Sequence, residues 1–203
     1  MCSIAGYFNP DQNYAENPKQ NFHTLSRMIN TMNHRGPDTY GHTIINSCCL
    51  AHTRLSIIDL ENGRQPMSYT KDGNTYYIVY NGEIYNYKEV KKTLLRKNYT
   101  FETNSDTEVI IAAFCHYGPG FVKELNGIFA IAIYDSMRNT LYLYRDRFGV
   151  KPLYYTKTGD TLVFASRIDT LFEYPRVRPC IDMNSFNEIF SLGPAKTYGK
   201  GVF

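Results

Sequence analysis

Apolar residues open the chain almost without interruption. Residues 2–8 read Cys-Ser-Ile-Ala-Gly-Tyr-Phe, which predicts a strand covered on both faces. Residues 9–20 are polar with two prolines and read as a loop. Phe22, Leu25, Met28, Ile29 and Met32 then recur at helical spacing, predicting a helix over 21–33 that His34-Arg35-Gly36-Pro37-Asp38 breaks. Two strands, 40–46 and 48–53, meet at Asn46-Ser47, and the second runs on into Arg54-Leu55-Ser56-Ile57-Ile58-Asp59. A loop containing Gly63, Gln65 and Pro66 follows. Tyr69 and Tyr76 flank Lys71-Asp72-Gly73-Asn74, a hairpin signal, and the strand 76–80 delivers Asn81-Gly82-Glu83-Ile84-Tyr85-Asn86-Tyr87.

The second half begins with a lysine-rich helix over 87–97, with Val90, Leu94 and Leu95 turned inward. Another helix starts with Ser105 or Asp106 as its N-cap and carries Val109, Ile110, Ala113 and Phe114. Strands over 129–134 and 141–144, then 152–155 and 162–165, read as successive antiparallel hairpins. Short helices near 168–172 and 183–191 complete the pattern. Helices grouped between antiparallel strands predict an α+β fold with helices on sheet faces, not a parallel doubly wound sheet.

Composition narrows this picture. The 203 residues suit one large domain or two small ones, and they are read as a single domain, 1–203. The stretch from about 190 is expected to begin a connection to a further domain, because the chain stops within what reads as ordered structure. With 43% hydrophobic and 20% charged residues the chain buries a core. A formal net charge of +3 is too small to argue for nucleic acid or membrane binding. The lysines of 87–97 read as a solvated helix face, since no aromatic platform accompanies them. No basic-then-apolar leader and no run of about 18 apolar residues occurs. Five cysteines (2, 48, 49, 115 and 180) show no CxxC spacing, so neither zinc nor a disulfide framework is indicated. A reducing, cytoplasmic setting is expected, with the cysteines after Cys2 in the core.

Cys2 directly follows the initiator methionine. Its small side chain makes Met1 a substrate for aminopeptidase removal. Removal leaves one residue with both a thiol and an α-amine, whose ordinary pKa is roughly 7.7–8.0. Such an amine serves as general base to the adjacent nucleophile. By position alone an inert strand cysteine is the commoner case.

Six stretches together reverse that balance: Met-Cys-Ser-Ile-Ala-Gly at 1–6, His-Arg-Gly-Pro-Asp at 34–38, Arg-Leu-Ser-Ile-Ile-Asp at 54–59, Asn-Gly-Glu-Ile-Tyr-Asn at 81–86, Ser-Asp-Thr-Glu at 105–108, and Arg-Asp-Arg-Phe-Gly-Val-Lys-Pro-Leu-Tyr-Tyr at 145–155. In this order they resemble the glutaminase domain of class II glutamine amidotransferases. The resemblance is greatest to the N-terminal domain of glutamine-hydrolysing asparagine synthetases and covers essentially the whole chain. It implies an N-terminal-nucleophile hydrolase-like, four-layer αββα sandwich of two mainly antiparallel sheets flanked by helices.

The resemblance also implies roles. Cys2 attacks the side-chain amide of glutamine. The Asn81 side-chain amide and the Gly82 backbone N–H stabilise the oxyanion. Arg54 holds the substrate carboxylate, Asp106 meets its ammonium, and Glu83 makes a further contact. Backbone groups of Leu55 and Ile57 line the pocket. Arg35 lies near the nucleophile in a structural or indirect role, and His34 is a structural histidine, while His52 and His116 show no pattern of a Cys-His pair. No metal or cofactor is implied for this domain. ATP and Mg²⁺ belong to an ammonia-accepting synthetase domain, and a homodimer is a further implied partnership. Two alternatives stand beside this: an amidotransferase with another acceptor, and a non-catalytic glutamine-sensing module. One departure is Ala165-Ser166-Arg167, where the family commonly has Ala-Ser-Glu; the reversed charge bears on coupling between domains.

Overall fold

The computed structural model describes residues 2–55, 63–180 and 182–192. Its centre is two antiparallel sheets. The first has the order β2-β3-β1-β9-β8, from β1 (Ser3–Phe8), β2 (Thr39–Ile45), β3 (Cys48–Arg54), β8 (Tyr154–Thr158) and β9 (Thr161–Ala165). The second has the order β4-β5-β6-β7, from β4 (Met67–Lys71), β5 (Asn74–Ile84), β6 (Gly127–Asp135) and β7 (Thr140–Arg145). The helices are α1 (Pro18–Met32), α2 (Tyr87–Leu95), α3 (Asp106–Tyr117), α4 (Ile168–Leu171) and α5 (Met183–Leu192).

Three apolar layers follow from strand alternation. Ile4, Leu50, Val79, Ala132 and Phe164 pack between the sheets. Ala5, Tyr7, Ala51 and Val163 point the other way, against Leu25, Met28 and Met32 of α1 and Leu171 of α4. Ile78, Ile131 and Ile133 of the second sheet meet Leu94 of α2 and Val109, Ala113 and Phe114 of α3. The order helix, sheet, sheet, helix is the expected αββα sandwich. β1 is central and covered on both faces, which explains its near-continuous apolar run.

Local departures from the expected elements have physical causes. Helix α1 begins at Pro18, inside the expected loop, because proline suits the first helical turn and adds no apolar periodicity. Phe22 is 43% exposed, not part of the buried stripe, and rests on the His42 ring. Leu95 is 52% exposed rather than inward, since α2 ends there and Asn98 turns into the left-handed region at φ 62°. Cys48 and Cys49 are buried on opposite faces of the first sheet, but Cys180 is exposed and not in the core.

The largest departure positions the site. β5 does not stop at Tyr80. It runs to Ile84, paired with β6 throughout, so that Asn81 faces Ala130, Gly82 faces Phe129 and Glu83 faces Ile128. Asn81-Gly82 is therefore neither a hairpin turn nor the start of a loop. A long partner strand overrides the turn preference of Asn-Gly.

Candidate active site

Cys2 lies just before β1 at the end of the inter-sheet layer. In the β1–β3 register Ser3 faces Thr53 and Ile4 faces His52. The half-buried Cys2 thus meets the residue that follows β3. The Leu55 N–H donates to Cys2 Sγ at 3.4 Å, and the thiol donates to the Leu55 carbonyl at 3.5 Å. His52 and Arg54 share the inter-sheet face with Leu50, because they follow it at steps of two. Both are buried, at 1% and 5% exposure.

From the opposite sheet, Asn81 and Glu83 share the inter-sheet face with Val79. Asn81 is buried, and its Nδ2 has no hydrogen-bond partner among the described residues. Such a donor is expensive to leave unmade unless something uses it. Gly82 tolerates no side chain, since a Cβ there would meet the Ile128 carbonyl oxygen at 2.2 Å and Phe129 Cα at 2.8 Å.

The third wall is the start of α3. Ser105 is the N-cap, its hydroxyl accepting from the Thr107 N–H at 3.2 Å, and Asp106 is the first helical residue. Asp106 is buried, and its Oδ2 accepts from the Tyr80 hydroxyl at 2.8 Å and from the Ile84 N–H at 3.4 Å. Burial pushes its carboxyl above the ordinary value. The Tyr80 and Ile84 hydrogen bonds oppose this, and the nearby Glu83 charge adds to it. Gln65 ties these walls together: its Oε1 accepts from the Tyr80 N–H at 2.6 Å and its Nε2 donates to Thr107 Oγ1 at 3.3 Å.

These elements enclose a pocket of about 70 Å³. Cys2, Arg54, Leu55, Gly82, Glu83 and Asp106 all line it. Asn81 sits beside Gly82 without lining it. Ile57, with the rest of 56–62, lies outside the described residues. Arg35 does not enter the pocket. Its Nε donates to Ser3 Oγ at 2.8 Å, behind the nucleophile. His34 Nε2 lies 2.8 Å from Arg167 Nη1, and Arg167 forms a two-pronged pair with Asp169 at 2.8 and 2.6 Å. His116 meets the Tyr99 and Tyr117 rings edge-on and does not line the pocket.

Tyr80, Gln65, His52 and Thr107 also line the pocket, and none stood out in the sequence. His52 was detectable, since it stands two residues before Arg54 on one strand face. The others touch the site only through sheet pairing and the docking of α3. Among the described residues there is no cluster of three or more His, Cys, Asp or Glu able to hold a metal ion, and no helix is long and apolar enough to cross a membrane.

The layered sheets form an N-terminal-nucleophile hydrolase-like fold, and a cysteine lies at the edge of the inter-sheet pocket. A family model described as a glutamine amidotransferase domain matches residues 1–203, and the chain belongs to that family. It is 40% identical over 203 residues to asparagine synthetase [glutamine-hydrolyzing] 3 of Bacillus subtilis (strain 168), covering 100% of this chain and 32% of that protein. It is 44% identical over 175 residues to asparagine synthetase [glutamine-hydrolyzing] 2 of the same organism, covering 86% of this chain and 23% of that one. The chain therefore spans about a third or less of these relatives. Glutamine phosphoribosylpyrophosphate amidotransferase of B. subtilis, solved with ADP and GMP, shares the fold at TM-score 0.61 and 18% identity, over 83% of this chain and 42% of that one.

Proposed function

We propose that this domain hydrolyses the side-chain amide of L-glutamine to glutamate and ammonia through a thioester on Cys2. The observation that carries the reading is one pocket bringing together a thiol, a buried guanidinium and a buried carboxylate. These are a nucleophile and the two charges that an amino acid's carboxylate and ammonium require. Arg54 offers a planar fork to the α-carboxylate. Asp106 takes the α-ammonium and Glu83 adds a contact, while Leu55 and Ile57 supply backbone groups. Arg35 steadies the segment that carries Cys2 through Ser3.

The cycle needs a chain whose first residue is Cys2. Its α-amine accepts the thiol proton, and the thiolate attacks the amide carbon. The oxyanion is met by Asn81 Nδ2 and the Gly82 N–H, each such donor contributing about 2.7–4 kcal/mol to the transition state. The ammonium formed from the amine protonates the leaving nitrogen, ammonia departs, and a γ-glutamyl thioester remains. Water, deprotonated by the same amine, then attacks the thioester, releasing glutamate and the thiol. No metal or cofactor takes part.

In the proposed whole protein, residues 1–203 form one amidotransferase domain, and its ammonia serves asparagine synthesis by an ATP- and Mg²⁺-dependent domain of the same cytoplasmic chain, with a homodimer as the assembly. The test is labelling with a diazo-ketone glutamine analogue followed by peptide mass spectrometry. Modification of Cys2, together with loss of glutamine hydrolysis in Cys2→Ala, is the expected result. An unlabelled Cys2 in a chain that still binds glutamine would leave a glutamine-sensing module as the better reading.

A further inference from the structure

Tyr80 stands on β5 one residue before Asn81, on the face turned towards α3, and its side chain is buried. It takes no part in the cycle above. Yet its hydroxyl makes the shortest bond to the Asp106 carboxylate, 2.8 Å to Oδ2, and the Ile84 N–H reaches the same oxygen at 3.4 Å. Oδ1 accepts neither bond. Tyr80 is itself held by its backbone N–H on Gln65, which continues to Thr107 in the first turn of α3. β5 thus holds the carboxylate at the helix start through the Tyr80 phenol and the Ile84 N–H, and the Thr107 N–H adds a weaker hydrogen bond from the helix itself.

We infer that Tyr80 is a positioning residue for substrate recognition: its hydroxyl holds Oδ2 of Asp106 and leaves Oδ1 to receive the α-ammonium of the amino acid. This rests on reading the pocket as a glutamine site. The charged and titratable groups around Asp106 in that pocket are Glu83 from β5, Arg54 and His52 from β3, and Cys2 ahead of β1. Glu83 raises the carboxyl further, so the Tyr80 bond is a main influence keeping it ionised against burial. Burial keeps the phenol well above its ordinary range, so it remains a donor at working pH. Without that hydroxyl the carboxyl titrates at higher pH and loses its fixed rotation. Recognition of the ammonium, which needs the ionised form, then weakens first on the acid side.

Tyr80→Phe keeps the ring and removes the donor. With Cys2 as N-terminus, its KM for glutamine is expected to rise about tenfold while kcat stays within about twofold. The acid limb of kcat/KM should move to higher pH. Glutaramate, which is glutamine without its α-amine, should be hydrolysed equally by both forms. In an Asp106→Asn background the second substitution should add nothing. An unchanged KM and acid limb in Tyr80→Phe, or an equal loss on glutamine and glutaramate, overturns the positioning role. If the parent chain itself fails to hydrolyse glutamine, it is the glutaminase reading that falls instead. If Tyr80→Phe does not fold, comparison of Asp106→Asn with the parent decides: equal discrimination between glutamine and glutaramate in the two overturns the proposal.

Discussion

Asn81 carries a buried amide N–H that has no partner among the described residues. A group in that condition costs about 1–3 kcal/mol. If it serves an oxyanion, Asn81→Ala lowers kcat by about 10²–10³ while unfolding free energy stays within about 1 kcal/mol of the parent, since an unpaired donor is also removed. Glutaminase kinetics beside urea denaturation measure both. In the proposed reading, Asp106 trades stability for binding in the same way. Its carboxyl is raised in the folded state. An acid with a raised folded pKa costs stability above that pKa, and the cost vanishes as pH falls below the unfolded value. Asp106→Asn is therefore expected to weaken glutamine binding while leaving the midpoint of urea unfolding at pH 7.5 unchanged or higher.

His52 makes the opposite demand. Burial, and then the Arg54 charge, lower its pKa to about 3, against a pull from the Tyr80 carbonyl. Between an ordinary value of 6.5 and about 3 the unfolded chain binds a proton there that the folded chain refuses. Stability then falls as pH drops through that window, by up to about 1.4 kcal/mol per pH unit. His52→Gln should flatten this part of the profile, as read from urea midpoints between pH 5 and 7.5. An identical slope in the variant would assign the acid sensitivity to other groups. This burial was not legible beforehand. The letter His at 52 has no pKa until the two sheets close over it.

At the scale of elements, β5 and α3 do the positioning. β5 carries Asn81, Gly82 and Glu83 inside a paired strand, so their spacing is set by the ladder to β6. Gly82→Ala forces a Cβ against the Ile128 carbonyl and the Phe129 backbone, neither of which is a flexible side chain. A loss of about 1–3 kcal/mol in stability is expected, together with a fall in glutaminase activity as the pairing opens. Differential scanning calorimetry and a glutamine assay report the two. Helix α3 was legible from Ser105-Asp106 and the apolar spacing that follows, because capping and periodicity are local properties. The extent of β5 was not, because Asn-Gly prefers a turn in isolation and only the facing strand holds it extended.

At the scale of the molecule, residues at 2, 54, 82, 83 and 106 meet, with Asn81 beside them, because β1 and β5 are both interior strands of their sheets and the sheets stack face to face. Cys2, ahead of β1, thereby lines the pocket. Chains beginning at Met1 and at Cys2 should differ sharply: the first is expected to lack glutaminase activity and the second to have it, with intact-mass measurement defining each sample. Full activity with Met1 attached would remove the α-amine from the mechanism.

The sequence by itself determined the α+β class and most element positions, and its ordered motifs, through their resemblance to a known family, pointed to Cys2, Arg54, Asn81, Gly82, Glu83 and Asp106. The first two are local signals, arising from periodicity and caps. Only the tertiary structure decided that β5 continues through Asn81, that Arg35 reaches Ser3 instead of the pocket, that His52 is buried neutral, and that Tyr80 grips Asp106. Each of these depends on a partner from a distant segment and on water excluded between packed layers, and neither exists until the sheets and helices have come together.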